Sequence, residues 1–406
     1  MEKKFIQFSL LTFIAFLFTE IALSDDQIPT EVFGSPPLIG SVKISPSGEK
    51  IAVYATLKNG DSAILVRDLT KNEPYKSIAS SDNKSLKLLS FNWFDDEIIL
   101  ARAWLAQDVY NTKLDYYRLL RVNVDGSGFK PLFKKRHFKD LPLRWEEFDQ
   151  TRIIDWLPDD EDNILVQLRM SNARSPDVIK LNVKENSIKT VKKGVAGVGS
   201  WMTDEDGRVR IGQTYDRDRS TGSIIFQREG STKWRTVWDY SSFGEDAISV
   251  LGFGEAPNKV WYEAYKDGRL AVFSADISKQ NIEPELVYSH PKRDVETRLR
   301  YRKDKKDPIG IGFRDKNFHH VTWDKEEANF EKSVYEFFPD KEVYFGGTSD
   351  DRNRYIIFAE NSSTPGSFYL GDKKLGTLNE IAHSYPALAN VELPPKKAFF
   401  YKARDG

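Results

Sequence analysis

The sequence contains no cysteine. This excludes a disulfide framework, and it excludes a lipoprotein anchor, which requires a modified cysteine. A chain of 406 residues buries enough surface to fold without covalent staples. An excess of charge is also missing: 60 basic residues face 61 acidic ones, for a net charge of -1. A general polyanion binder needs a basic field, so nucleic acid is not an expected partner. After the first residues, no long stretch places apolar residues at three-and-four spacing, and helix is expected only as one short piece or turn at Arg144 to Gln150. No Pro-, Gly- or Ser-rich linker divides the chain, which reads as one domain.

Catalytic and metal-binding motifs are scarce. A nucleophilic serine is usually presented on a G-x-S-x-G turn between strand and helix, and no such string occurs. The nearest fragments, Gly199-Ser200-Trp201 and Gly222-Ser223-Ile224, start strands and lack the second glycine. None of the five histidines, His137, His290, His319, His320 and His383, stands at a metal-binding spacing from a nearby acid. His319 and His320 fall in one strand, where neighbours point to opposite faces. The acidic clusters Asp159-Asp160-Glu161-Asp162 and Asp204-Glu205-Asp206-Gly207 do not match a twelve-residue calcium loop and fall where hairpin turns are needed. The basic runs Lys134-Lys135-Arg136 and Arg302-Lys303-Asp304-Lys305-Lys306 read as solvated loops. No catalytic residue, cofactor site or metal site is therefore assigned.

What is present begins with an address. Lys3 and Lys4 precede an apolar run from Phe5 to Phe18, and Ala22-Leu23-Ser24 supplies small residues for cleavage. Residues 1–24 read as a secretory signal peptide. A membrane span needs about 20 apolar residues, and this run is shorter and closely followed by Glu20. The protein is expected to be exported, periplasmic or extracellular, without a stable membrane anchor.

The body of the chain repeats a unit of strand, turn, strand, polar spacer and strand. Ile51–Tyr54 follows the turn Ser45-Pro46-Ser47-Gly48, and Ala63–Val66 follows Asn59-Gly60. The order returns in Phe91–Trp93, Ile98–Leu100, Tyr117–Val122 and Phe129–Phe133, then in Ile153–Trp156, Ile164–Leu168, Val178–Leu181 and Ile188–Val191. A fourth copy spans Trp201–Trp238, and a fifth uses Leu251–Phe253, Val260–Ala264, Leu270–Phe273 and Glu285–Tyr288. A sixth, less regular copy has Ile309–Phe313, Val321–Trp323 and Val334–Phe338; a seventh has Val343–Phe345, Tyr355–Ala359, Ser367–Leu370 and Leu378–Ala382. Aligned on Leu65, Leu119, Ile179, Ile225, Val272, Val321 and Tyr369, the copies are about 46 to 60 residues apart. That is the size of a four-stranded blade. The reading is an all-β fold, a seven-bladed β-propeller over residues 41–390, with a lead-in at 25–40 and a connector at 391–406. A pair of β-sandwiches is the competing arrangement.

The stretch Pro36 to Ala52, with its S-P-S-G turn, and Trp201 to Arg210 resemble the propeller of bacterial prolyl oligopeptidase family serine peptidases. Phe400-Tyr401-Lys402-Ala403-Arg404-Asp405-Gly406 resembles the Y-x-x-R-D-G stretch that leads into that family's α/β-hydrolase domain. The resemblance implies a propeller that restricts access to a Ser-Asp-His site in a hydrolase domain. No member of that triad can be placed on this chain. The expectation is a substrate-gating propeller, inert by itself, from a truncated or split gene, whose partner is a peptide or a hydrolase domain acting in trans. An independent periplasmic propeller that binds a peptide or protein is the alternative.

Overall fold

The computed structural model describes residues 28–109, 111–138, 147–171, 174–241, 244–314, 318–391, 393–397, 399 and 401–404. The expected signal peptide lies outside them, as do Asp405 and Gly406 of the C-terminal motif. The described residues form seven antiparallel sheets, six of four strands and one of three. The fold is all-β and propeller-like.

The first sheet contains β1 (Ile39–Ile44), β2 (Lys50–Thr56), β3 (Ser62–Asp68) and β4 (Lys76–Ser81), and the second β5 (Leu86–Trp93), β6 (Ile98–Val109), β7 (Thr112–Asn123) and β8 (Lys130–Pro131). The third holds β9 (Ile153–Asp155), β10 (Asn163–Leu168), β11 (Asp177–Asn182) and β12 (Ser187–Lys192). In the fourth are β13 (Val198–Thr203), β14 (Val209–Thr214), β15 (Thr221–Gln227) and β16 (Trp234–Ser241). The fifth comprises β17 (Ile248–Phe253), β18 (Lys259–Lys266), β19 (Arg269–Asp276) and β20 (Glu285–Tyr288). β21 (Thr297–Arg300), β22 (Gly310–Arg314) and β23 (Phe318–Thr322) form the sixth; β24 (Glu342–Thr348), β25 (Arg354–Glu360), β26 (Ser367–Asp372) and β27 (Thr377–His383) form the seventh. In every sheet the strands are neighbours in chain order.

Central strands are buried on both faces. β10 is buried from Ile164 to Leu168, whereas the outer strand β12 has no buried residue. A strand flanked by apolar layers on both sides reads as a near-continuous hydrophobic run, and in Ile164 to Leu168 the one polar residue, Gln167, is satisfied by Gly199 O and Trp201 N.

The described residues divide into two compact units, one drawn from within 28–82, 124–126 and 344–404, the other from within 83–123 and 127–343. In the first, Val42, Ile51 and Val53 pack with Ile356 and Phe368, joining the first and seventh sheets. In the second, successive sheets share one apolar layer each. Leu100 and Leu119 meet Ile164 and Ile179; Leu165 and Val178 meet Trp201; Ile211 and Phe226 meet Val260 and Tyr262; Trp261 and Val272 meet Ile311 and Phe313.

The turn between the first two strands of a sheet recurs in detail. Gly48 N donates to Ser45 O at 2.9 Å and Lys50 N to Ser45 Oγ at 3.1 Å. Gly207 N donates to Asp204 O at 3.0 Å and Arg208 N to Asp204 Oδ1 at 3.0 Å. Ser349 plays the same part for Arg352 and Arg354. The fourth turn residue has positive φ each time, at Gly48, Gly207 and Arg352, which explains the glycine preference.

The sixth copy departs from the expected plan. Val334–Phe338 does not form a closing strand: after the short α1 (Thr30–Gly34), a second helix, α2 (Lys325–Glu336), takes in Val334 to Glu336, and Phe337 is its C-cap. Asp324 caps it, its side chain accepting from Glu327 N at 2.9 Å, a capping pattern of acid followed three residues later by Glu. The buried face of α2 is Glu327, Glu331 and Val334. Glu331 is 3% exposed and accepts from Arg300 and, at 2.6 Å, from Thr322 Oγ1. Its buried positions are spaced as in a helix, but acids occupy two of them. A hydrophobic period is therefore absent. In the second sheet the closing strand is shorter than expected, β8 covering only Lys130–Pro131, while β6 and β7 pair to Val109 and Thr112. Of the helix or turn expected at Arg144 to Gln150, residues 144–146 lie outside the described residues, and 147–150 are not helical.

Arg210 carries a buried ion pair in the second unit and is 3% exposed. It reaches Asp204, Pro257 O and Asn258 Oδ1. Replacing it with Ala leaves buried acceptors without a donor, and urea unfolding is expected to show a loss of about 3 kcal/mol. Arg210→Lys should recover only part of it, because an ammonium cannot satisfy the fork of acceptors.

Candidate functional site

A cleft of about 600 Å³ opens at one end of the fourth sheet. Thr214, Tyr215 and Asp216 line it from the end of β14, Thr221 to Ser223 from the start of β15, and Asp239 to Ser241 from the end of β16. Gly197 and Asp246 reach it from the segments that enter and leave the sheet. The floor is rigid. Tyr240 is 8% exposed; its hydroxyl donates to Thr214 O at 2.8 Å and accepts from Gln213 Nε2 at 2.9 Å. A Cβ at position 222 would lie 2.3 Å from Thr214 O and 2.4 Å from the Tyr240 hydroxyl, so the close approach requires Gly222. Tyr215 forms an exposed wall.

Ser223, one of the two serines singled out by sequence, stands in this cleft. Its Oγ donates to Asp239 Oδ1 at 2.6 Å, and its N–H donates to Thr214 Oγ1 at 2.8 Å. No histidine lines the cleft, so this hydroxyl has an acceptor but no imidazole base. Ser200 lies in β13, with Oγ 3.5 Å from Gln213 Oε1.

A Ser-His-acid array does occur, in the seventh sheet, where sequence reading found nothing. Ser367 Oγ is 2.9 Å from His383 Nδ1, and His383 Nε2 is 2.8 Å from Glu380 Oε1. Ser367 pairs directly with His383 in the β26–β27 ladder. Such a serine can pass its proton to the imidazole, but its presentation is wrong for attack. Ser367 is 5% exposed and lies in a regular strand, whereas a nucleophile needs an exposed oxygen beside convergent N–H donors. The array clasps two strands.

The other singled-out residues are dispersed. His137 Nδ1 accepts from Lys134 N at 3.3 Å, and burial together with Arg136 holds its pKa below the usual imidazole value. His290 and His319 lie against Phe313, while His320 faces Glu331 across 3.5 Å. Asp160 and Asp162 pair with Lys180 and Lys184. In the basic runs, Arg136 donates to Asn186 O at 2.8 Å, Arg302 binds Asp304, Asp324 and Glu326, and Lys306 binds Asp206 at 2.8 Å. Among the described residues, no three His, Asp or Glu side chains are grouped to hold a metal.

One carboxyl is displaced in its titration. Glu205, in the turn after β13, is pushed up to about 7 by burial first and then by the charges of Asp155 and Asp204, with Lys306 opposing.

No family model matches the sequence, and no curated protein is significantly similar to it. Solved structures are similar in fold. Prolyl oligopeptidase B from Galerina marginata, bound to a 35mer hydrolysis and macrocyclization substrate, superposes with a TM-score of 0.53 at 12% identity, over 93% of this chain and 55% of that one. A prolyl endopeptidase gives 0.51 at 12% identity, over 91% of this chain and 53% of its own. The chain thus spans about half the length of the structures it matches.

The raised pKa of Glu205 sets a pH dependence. The folded state holds this proton more tightly than the unfolded chain, whose value is 4.5, so its contribution to stability falls as pH rises from about 4.5 to about 7. Glu205→Gln is expected to raise the melting temperature by roughly 2 to 4 °C above pH 8 and to leave it nearly unchanged at pH 4. Thermal melts at the two pH values check this.

Proposed function

We propose that this chain is the substrate-admitting propeller of an exported prolyl oligopeptidase-like serine peptidase, and that it does not hydrolyse peptides alone. The observation that carries the reading is the superposition on two prolyl-specific peptidases over more than nine-tenths of this chain but only about half of theirs. The motifs at Ser45 to Gly48 and Asp204 to Gly207 support it, since both form the turn between the first two strands of a blade. The arrangement of the serines agrees with inertness: Ser223 has no imidazole, and Ser367 is buried in a strand. In this reading a hydrolase domain supplies the nucleophile and the propeller limits the length of peptide that reaches it.

A second reading, an independent binding propeller, is favoured by the cleft of the fourth sheet, which is built from this chain's residues alone. The two readings part on what lies beside the protein. If a hydrolase domain is encoded next to it, co-expression is expected to give a complex that cleaves short peptides but spares folded proteins; failure of the two to associate overturns the gating role. The purified chain alone is expected to take up no fluorophosphonate probe. Labelling that disappears in Ser367→Ala or Ser223→Ala would show an intrinsic hydrolase instead.

A further inference from the structure

We propose that residues 301–308, between β21 and β22, form a strap with fixed ends and a detachable tip, latched across the fifth sheet onto the fourth by the charge of Lys306. The strap belongs to this chain alone and needs no hydrolase partner. Its ends are firmly held. The Tyr301 hydroxyl donates to Phe253 O at 2.8 Å, and the Arg302 guanidinium, in a side chain only 8% exposed, binds Asp324 at 3.2 Å and Glu326 at 3.0 Å. At the other end Trp323 Nε1 donates to Pro308 O at 2.6 Å. Trp323 in turn stacks on Trp261 of the fifth sheet, with ring centroids 5.2 Å apart.

The fifth sheet is shaped to receive the strap. Gly252 and Gly254 stand two residues apart, at and just past the end of β17, and so face one side. A Cβ on Gly252 would lie 2.4 Å from the Tyr301 hydroxyl, and one on Gly254 would lie 2.5 Å from Asp307 Oδ1. Each glycine leaves the room that a strap side chain fills. The tip is held more loosely. Asp307 Oδ1 accepts from Glu255 N at 2.8 Å, and Lys306 Nζ lies 2.8 Å from Asp206 Oδ1 in the turn between β13 and β14, both side chains being about half exposed. Asp159 and Glu205 add weaker attraction from the turns of the third and fourth sheets. An exposed ion pair is weak and screened by salt, so the tip is the first part to let go. The seated strap also carries a cost. Trp261 is 8% exposed, its Nε1 has no hydrogen-bond partner among the described residues, and a Cβ on Gly254 would lie 3.0 Å from it. Lifting the Asp307 carboxylate from that place lets water reach the indole N–H, which favours the lifted state. The glycine seat favours the latched arrangement, the orphan donor favours the lifted one, and the charge on the tip decides between them.

Trypsin reads the latch, because Arg302, Lys303, Lys305 and Lys306 all lie in the strap. Cleavage of the folded protein is followed by mass spectrometry, and its rate is divided by that of a free peptide of the same strap sequence, which removes the effect of salt on the protease. When opening is fast relative to cutting, this ratio follows the lifted population. Asp206→Asn, outside the strap, is expected to raise the ratio about threefold. Lys306→Gln should match it at the remaining sites, and the double variant should add nothing further. Sodium chloride at about 0.5 M is expected to act like Asp206→Asn in the wild type and to have little effect in that variant. Gly254→Ala, whose Cβ takes the place of the Asp307 carboxylate, is expected to raise the ratio about tenfold. Cleavage elsewhere in the chain should not change. An unchanged ratio in Asp206→Asn and Lys306→Gln, fully additive effects in the double variant, or an equal rise at sites outside the strap overturns the proposal, and these variants carry the test if Gly254→Ala does not fold.

Discussion

Arginines that reach from one sheet to the backbone carbonyls of the next fix how neighbouring sheets meet within each unit. A sheet with two apolar faces must be covered on both, but apolar layers are non-directional and tolerate sliding. Arg121 on β7 donates to Val183 O and Lys184 O in the third sheet, Arg210 on β14 to the turn at Pro257 and Asn258 in the fifth, and Arg354 on β25 to Gly48 O in the first. A guanidinium presents five donors in a rigid fork, so each contact fixes both distance and angle. Burying the charge carries a desolvation penalty, largest at Arg210, where Asp204 stands 3.3 Å away. These contacts therefore specify the packing more than they strengthen it. Arg210 and Arg354 occupy the same place in their sheets, both close to the start of the second strand, so the repeat carries its own means of docking.

The same repetition made most of the fold legible in the sequence. Runs such as Ile164–Leu168 are strand-length and doubly buried, and turns such as Ser45–Gly48 need a residue that tolerates positive φ. Where either signal fails, so does the reading. The buried side of α2 is carried by Glu327 and Glu331, and the partners of Glu331, Arg300 and Thr322, lie in β21 and β23, so nothing local marks it as an inward face. At the far ends of β6 and β7, Asp108 pairs with Lys113 and Gln107 with Leu114, so polar residues interrupt the apolar alternation.

The candidate site was legible only in fragments. Gly222-Ser223 drew notice for its likeness to a nucleophile motif, yet its glycine is explained by the Tyr240 hydroxyl and its serine by Asp239. The cleft gathers residues from 197 to 246, and strand order, not spacing, brings them together. The Ser367, His383 and Glu380 array depends on hairpin register, including a shift between Phe368 and Tyr369. Register of that kind is set by packing and is not written in any short string.

Strand geometry also decides what such a scaffold can do chemically. Inside a ladder the backbone N–H groups are committed to neighbouring strands, so a serine such as Ser367 has no donors to spare for an oxyanion, even with an imidazole 2.9 Å away. Beyond the last ladder pair the constraint relaxes. There the chain leaves the ladder, and residues such as Tyr215, Asp216 and Asp246 can turn toward a ligand without disturbing the apolar layers beneath. A blade fold built this way is suited to recognition at its rims, and for hydrolysis it needs a nucleophile held on a different kind of turn. The cleft at Tyr240 and the clasp at Ser367 are the two outcomes of that constraint: Tyr215, Asp216 and Asp246 lie outside the strands, whereas Ser367, the first residue of β26, is still paired with Ala359 and His383.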